Sequence, residues 1–181
     1  MAEFAESIKT ILKHEGGWVC DPNDPGGETN YGVSTLIIQR EKMAPRDLGI
    51  DRDVFARGCL KEMTEEGARK VYRDFFWLRY GYGDIENQDV ATKVFDACVN
   101  MGPTWGHRLA QYALIECGYP VAPDGVMGPK TISALNSVDP QQWLKSMCAQ
   151  MEQRYRLIVA GRPQSAKFLG NWLHRAAWTH P

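Results

Sequence analysis

Residues 4–34, FAESIKTILKHEGGWVCDPNDPGGETNYGVS, contain a helical pattern, a long polar loop and a hairpin signal in direct succession. The apolar residues of 4–12 recur at the spacing of one face of an amphipathic helix, which Glu15 continues and Gly16-Gly17 ends. Residues 18–34 predict an irregular loop leading into a short hairpin at Thr29–Ser34. A loop that only reversed the chain could be shorter and less charged, so we expect this stretch to carry the chemistry.

The rest of the chain is predominantly helical in its apolar spacing. Thr64 is a predicted N-cap, followed by acidic residues in the first turn of a helix that runs to Tyr80. Further helices are predicted over residues 89–100, 104–117, 141–159 and 168–177. The predicted fold class is therefore mainly α, with a small β-hairpin after the first helix and a C-terminal helical portion.

Length and composition set the broad class of protein. The 181 residues suit one compact domain, alone or with a small appendage, and 44% hydrophobic and 24% charged residues are ordinary for a globular chain. No apolar run approaches the ~18 residues that span a bilayer. The acidic residues near the N-terminus do not fit a signal peptide, so we expect synthesis in the cytosol.

The five cysteines are scattered, and no two form a CxxC pair. This pattern indicates neither a disulfide framework nor a zinc site, so we expect buried or inert thiols and no metal or organic cofactor. The net charge is −6 over residues 1–140 and +5 over residues 141–181. The basic end could face an anionic partner or be a solvated helix surface.

Two carboxyl groups in the opening stretch have opposed environments. Glu15 continues the buried face of a helix at its C-terminal end, where desolvation and the helix dipole both disfavour the ionised form. A protonated carboxyl group can donate a proton to the leaving oxygen of a glycosidic bond. Asp24 lies in a polar glycine-rich loop that favours the carboxylate, and Thr29 and Asn30 could orient a water molecule. The pair predicts an acid and a base or charge stabiliser.

Other site types fit this loop less well. An EF-hand calcium loop would begin at Asp21, but Pro25 cannot ligate through its side chain and Gly32 stands where a bidentate Glu belongs. The sequence GGETNYG also lacks the Lys-Ser/Thr of a phosphate-binding loop.

Residues 15–34, EGGWVCDPNDPGGETNYGVS, resemble the signature of glycoside hydrolase family 108. Members of that family include phage endolysins with N-acetylmuramidase activity, built on a lysozyme-like helical fold. The resemblance implies that Glu15 is the catalytic acid. Glu15 and Asp24 also have the spacing of the Glu and Asp of many phage lysozymes, whereas Thr29 comes one residue early and Asn30 takes the expected place.

The resemblance extends to YRDFFWLRY at 72–80 and FDACVNMG at 95–102. It implies that Asp96 and Asn100, four residues apart on one helix face, border the substrate cleft. The alternative for Asp96 is a buried hydrogen-bond partner, and the alternative for the aromatic residues is core packing. The predicted substrate-binding set is Glu28, Asn30, Tyr31, Trp77, Tyr80, Asp96 and Asn100.

Residues 123–135, PDGVMGPKTISAL, resemble the peptidoglycan-binding unit that accompanies family 108 domains, although the same residues suit a simple turn before a helix. We therefore predict a lysozyme-like catalytic domain in residues 1–100 and a peptidoglycan-binding-like region, packed on it, in residues 101–181. The C-terminal helix, with Phe168, Trp172 and Arg175, could pack on the domain or contact an anionic outer envelope.

Together these features predict an endolysin-type N-acetylmuramidase that hydrolyses the β-1,4 bond between N-acetylmuramic acid and N-acetylglucosamine in peptidoglycan and lyses bacterial cells. The alternatives are a lytic transglycosylase and a non-catalytic cell-wall-binding or secretion-promoting protein. We expect a monomer that binds no nucleic acid, is made in the host cytoplasm and reaches the periplasmic wall after holin-type release. A carboxyl separation of ~6.5–9.5 Å would give inversion, which we expect, and ~5–5.5 Å would give retention.

Overall fold

The computed structural model describes residues 1–15, 17–18, 28–50 and 60–178, and in these ranges the chain is mainly helical with one two-stranded sheet, as predicted. The α-helices are α1 (Phe4–Glu15), α2 (Thr35–Glu41), α3 (Pro45–Leu48), α4 (Glu65–Tyr72), α5 (Gln88–Met101), α6 (Pro103–Glu116), α7 (Pro129–Ser137), α8 (Pro140–Gly161) and α9 (Leu169–Ala177). The strands are β1 (Thr29–Asn30) and β2 (Val33–Ser34), which pair antiparallel.

The chain forms two compact units. The N-terminal unit is Phe4–Arg79, and the C-terminal unit is Tyr80–Pro181 together with Met1–Glu3. The N-terminal arm belongs to the second unit because the amide of Ala2 donates to the carbonyl of Ile85 at 2.8 Å, and Glu3 exchanges hydrogen bonds with the side chain of Gln88.

The hairpin forms because its two turn residues both adopt positive φ. Tyr31 (φ 48°) and Gly32 (φ 75°) connect Asn30 to Val33, the two-residue geometry that matches the twist of the flanking strands. Ser34 then caps α2 by accepting from the amide of Ile37 at 3.3 Å.

The predicted helix over residues 64–80 begins as expected, because Thr64 accepts from the amide of Gly67 at 3.1 Å. It is α-helical only to Tyr72 and continues as a π-helical turn over Arg73–Trp77, with Leu78 donating to the carbonyl of Arg73 at 2.9 Å. Phe76 and Trp77, the last two residues of this wider turn, are buried. A uniform helical period does not predict this change.

The core of the C-terminal unit surrounds α5, in which every residue from Val90 to Cys98 is buried. Burial raises the pKa of the Cys98 thiol to about 12, so this thiol stays protonated at neutral pH. Cys98, Cys117 and Cys148 are all free thiols, while Cys20 and Cys59 lie outside the described residues.

The turn of the PDGVMG motif is held by one glutamine of α6. The amide nitrogen of Gln111 donates to Asp124 at 2.8 Å and to the carbonyl of Val126 at 3.0 Å, and its oxygen accepts from the amide of Gly125 at 2.8 Å. Gly125 itself has φ +79°. These motif residues therefore serve the turn, which then leads into α7.

The C-terminal helix α9 packs within its own unit. Arg175, on its last turn, forms a buried ion pair with Asp96 of α5 at 2.8 Å. The buried ammonium of Lys93 donates to the carbonyls of Arg175, Ala176 and Trp178 at 3.1, 2.7 and 2.6 Å, and so binds the carbonyl end of α9.

In the described ranges, we find no helix that combines the length and the apolar character required to span a membrane.

His107 joins three segments of the C-terminal unit. Its Nδ1 lies 3.0 Å from the carbonyl of Gly125, which can only accept, so Nδ1 carries the proton and Nε2 accepts from the hydroxyl of Tyr82 at 2.8 Å. Burial lowers the pKa of His107, although the Gly125 carbonyl opposes the shift. The folded chain therefore holds a neutral imidazole.

Acidification is expected to weaken the C-terminal unit through His107. The unfolded histidine takes up its proton near pH 6.5 and the folded one only at lower pH. The contribution is thus complete above about pH 6.5 and is lost as the pH falls through the lower folded pKa. Urea unfolding between about pH 7.5 and about pH 5.5 should show this loss in the wild type and a shallower slope in His107→Gln.

The exposed His174 provides the control, since His174→Gln should retain the wild-type slope. Equal slopes in His107→Gln and the wild type would contradict the assignment.

Candidate active site

The carboxylate of Glu15 lies against the turn of the hairpin. Glu15 is the last residue of α1 and is half-buried. A Cβ atom on Gly32 would come within 3.0 Å of both Glu15 Oε2 and the Tyr72 hydroxyl, and 2.7 Å from Glu15 Cγ. The glycine therefore leaves the space in which the predicted acid sits. Tyr72 also donates to the carbonyl of Tyr31 at 2.8 Å, which ties the turn to α4.

The two hairpin candidates, Thr29 and Asn30, face opposite ways because side chains alternate along a strand. Asn30 is 4% exposed, and its amide donates to the carbonyls of Leu60 and Met63 at 2.8 and 3.3 Å. Its nitrogen thus fastens the segment after residue 59 to the hairpin. Thr29 is half-exposed and pairs with Ser34 across the sheet. This arrangement favours Thr29 over Asn30 as a group that could orient water.

Two residues flanking the loop are joined through their side chains. The indole N–H of Trp18 donates to the carboxylate of Glu28, and the ammonium of Lys61 lies over the Trp18 ring, 5.1 Å from its centroid. The Trp18 indole thus positions Glu28, and Lys61 covers the Trp18 ring. Asp24, the predicted second carboxylate, falls within residues 19–27, outside the described residues.

Trp77, predicted to contact substrate, is buried in the N-terminal unit at 4% exposure. Its ring meets that of Phe4 edge-on, with centroids 5.8 Å apart. Tyr31 is half-exposed in the hairpin turn, and its backbone carbonyl accepts a hydrogen bond from the Tyr72 hydroxyl.

Three predicted residues lie in the C-terminal unit. Tyr80 is half-buried against His107, with ring centroids 4.9 Å apart. Asp96 is fully buried, and both its carboxylate oxygens accept from Arg175 Nε at 3.0 and 3.1 Å. The carboxylate is therefore engaged in an internal ion pair. The side-chain oxygen of Asn100 accepts from the Tyr155 hydroxyl at 2.7 Å.

Sequence reasoning passed over Tyr72 and Lys61 as parts of the site. Tyr72 has the spacing of an apolar helix face, and only its hydroxyl group signals a polar partner. Among the described residues, no three His, Cys, Asp or Glu side chains are grouped so as to hold a metal ion.

Residues 8–102 match the model of the glycosyl hydrolase 108 family, and residues 105–177 match that of a predicted peptidoglycan domain. The chain belongs to the glycosyl hydrolase 108 family. It is therefore a glycoside hydrolase, of lysozyme-like type, and it acts on peptidoglycan. Glu15 and its hairpin lie inside the part of the chain that matches the hydrolase family.

The fold resembles that of a solved structure, SagA of Brucella abortus. That structure matches with a TM-score of 0.72 and 23% sequence identity, over 96% of this chain and 89% of SagA. A comparison with curated proteins found no match.

Replacing Gly32 by Ala is expected to remove activity by displacing the Glu15 carboxylate. The Cβ atom would overlap Glu15 and Tyr72, and the positive φ adds strain of about 1–2 kcal/mol. Rates of release of soluble fragments from purified murein, measured beside the free energy of unfolding, test this expectation.

Gly118→Ala is the matched control, because Gly118 also has positive φ, +89°, but nothing lies within 4 Å of its Cβ position. It should show comparable strain and unchanged hydrolysis. Equal activity of the two variants would show that the Gly32 space does not matter to Glu15.

Proposed function

We propose that the protein is an endolysin-type N-acetylmuramidase that hydrolyses the β-1,4 bond between N-acetylmuramic acid and N-acetylglucosamine. The observation that carries the proposal is the placement of Glu15, a half-buried carboxyl group at the C-terminal end of α1, against the Gly32 turn. A carboxyl group held there can be presented to a glycosidic oxygen in a fixed orientation.

In this proposal Glu15 protonates the leaving oxygen, and Asp24 activates water or stabilises the oxocarbenium-like transition state. Thr29, on the half-exposed face of β1, would orient the water, while Asn30 would act only by holding the hairpin in place. Cell lysis follows when enough glycan bonds in the wall are cut.

Several finer points remain predictions of the sequence: release by a holin, action as a monomer, and contact with an anionic outer envelope. The structure bears on the last, because the buried face of α9 already packs in its own unit through Arg175 and Ala176. An envelope contact would therefore have to use the exposed side of the helix or the exposed Phe168.

Glu15→Gln should lower the rate of hydrolysis of purified, lipid-free murein by about 100-fold or more, because the amide cannot donate the proton. The rate is followed as release of reducing ends. The control is Glu6→Gln on the same helix, where an exposed carboxylate pairs with Lys9 at 2.8 Å. It should hydrolyse murein at the wild-type rate.

A Glu15→Gln variant with wild-type activity would show that Glu15 is not the acid. Mass spectrometry of the wild-type products separates the alternatives: a muramic acid product lighter by one water would identify a lytic transglycosylase. A wild-type protein that binds murein and releases no fragment would leave only a wall-binding role. The anomer formed first, followed by NMR, tests the expected inversion.

A further inference from the structure

Two neighbouring cavities of the C-terminal unit share the side chains of Trp105 and Arg154, and the proposed hydrolysis uses neither residue. The first cavity has a volume of about 230 Å³ and is also lined by Asn100, Met101, Tyr155, Ile158 and Trp172. The second has a volume of about 340 Å³ and is also lined by Leu109, Tyr112, Gln150, Gln153 and Leu157.

Arg154 has a positive charge that no carboxylate of the described residues pairs with. Its guanidinium carbon lies 3.6 Å from the centroid of the Trp105 ring, and its buried Nε makes no hydrogen bond. In the described ranges, no acidic residue forms an ion pair with it. Arg156, two residues further along α8, instead pairs with Glu152 at 2.8 Å. Desolvation lowers the pKa of Arg154, as expected for a cation whose lost hydration is not offset by a nearby anion.

The first cavity offers a second hydrogen-bond donor beside this cation. The Tyr155 hydroxyl donates to Asn100 Oδ1 at 2.7 Å, which directs the amide oxygen to the tyrosine. The amide NH₂ group of Asn100 makes no hydrogen bond to the described residues. None of the described residues lining the cavity is acidic. A planar guanidinium and an amide N–H are the groups that recognise a carboxylate.

The size of the first cavity and the state of its aromatic rings argue against a sugar. Its volume is below the ~300–1,000 Å³ typical of ligand pockets, so it suits one small group rather than an oligosaccharide. The guanidinium of Arg154 covers the Trp105 ring, and Arg108 lies over the same ring at 5.6 Å. The Trp172 ring stacks on Tyr155 with centroids 5.2 Å apart. Other side chains of the protein already contact these rings. The Trp105 ring orients Arg154, and the rings form part of the cavity wall.

The second cavity has a different chemistry. Leu109, Tyr112 and Leu157 give it an apolar wall, and Tyr112 and Leu157 are 38% and 57% exposed. Gln150 and Gln153 add side-chain amides, which can donate to and accept from a peptide backbone. Short aliphatic side chains joined by amide bonds fit such a surface.

We propose that the two cavities bind the stem peptide of peptidoglycan, with a peptide carboxylate held by Arg154 and Asn100 and aliphatic peptide groups against Leu157. This proposal rests on peptidoglycan being the substrate. Where muramic acid carries a peptide, its lactyl carboxyl group is consumed in an amide bond, so the carboxylates nearby belong to the peptide. The site would hold the wall through its peptides while the N-terminal unit cuts the glycan.

The test measures binding of stem tetrapeptide, released from murein by an amidase, to the full chain by calorimetry. Arg154→Ala should weaken binding about tenfold or more, the loss expected when one charged hydrogen-bonding group is removed. Arg154→Lys should restore it only in part, because the ammonium lacks the planar fork. Arg156→Ala removes the same charge from the same helix and should bind as the wild type does.

A peptide with amidated carboxylates provides a test that needs no variant: it should bind the wild type about tenfold more weakly than the free acid.

Equal binding of both peptides, or wild-type binding by Arg154→Ala, would overturn the proposal. So would equally tight binding of peptide-free glycan strands, which would place the lactyl carboxylate in the site. A wild type that binds peptide and cuts no glycan would refute the proposed function alone.

Discussion

The N-terminal unit depends on the space that Gly32 leaves beside Glu15. Any residue with a Cβ would meet the Glu15 carboxylate and the Tyr72 hydroxyl in the same place. The positive φ values of Tyr31 and Gly32 form the turn, and the Tyr72 hydrogen bond fixes the turn to α4. Because Gly32 has no side chain, the end of α1, the hairpin and α4 can meet at Glu15. These contacts orient the flexible Glu15 side chain.

The same unit also contains a polar side chain, that of Asn30, whose hydrogen bonds support the fold around the candidate site. The amide of Asn30 points inward and binds carbonyls of the segment at 60–63, while Val33 opposite it is buried. A buried amide that loses such bonds leaves unsatisfied groups, at about 1–3 kcal/mol each. Its position next to Thr29 therefore supports the hairpin, and the half-exposed Thr29 remains available to solvent.

In the C-terminal unit, the basic residues among the last 41 have different surroundings, as three arginines show. Arg175 forms a buried ion pair with Asp96 in the core, and removing either partner would leave an uncompensated buried charge. Arg156 pairs with Glu152 at the surface, where such a pair contributes little to stability. Arg154 has neither arrangement and is held against Trp105. The arginines that contribute to the net charge of +5 therefore have different environments and do not form one uniform surface.

The sequence alone determined the features that depend on neighbours along the chain. These are the end of α1 at Glu15, the hairpin at Thr29–Ser34, the Thr64 cap and the mainly helical class, together with the family to which the opening motif belongs. Each rests on local backbone geometry and side-chain periodicity, which act over a few residues.

Only the tertiary structure decided which polar and aromatic side chains the fold uses internally. Asp96 meets Arg175 across 79 residues of sequence, Asn30 meets Leu60 across 30, and Trp77, at the end of a π-helical turn, is buried against Phe4. Such burial depends on residues far apart in the chain. A motif can therefore show that a carboxylate is present, but only the packed fold shows whether another residue already holds it.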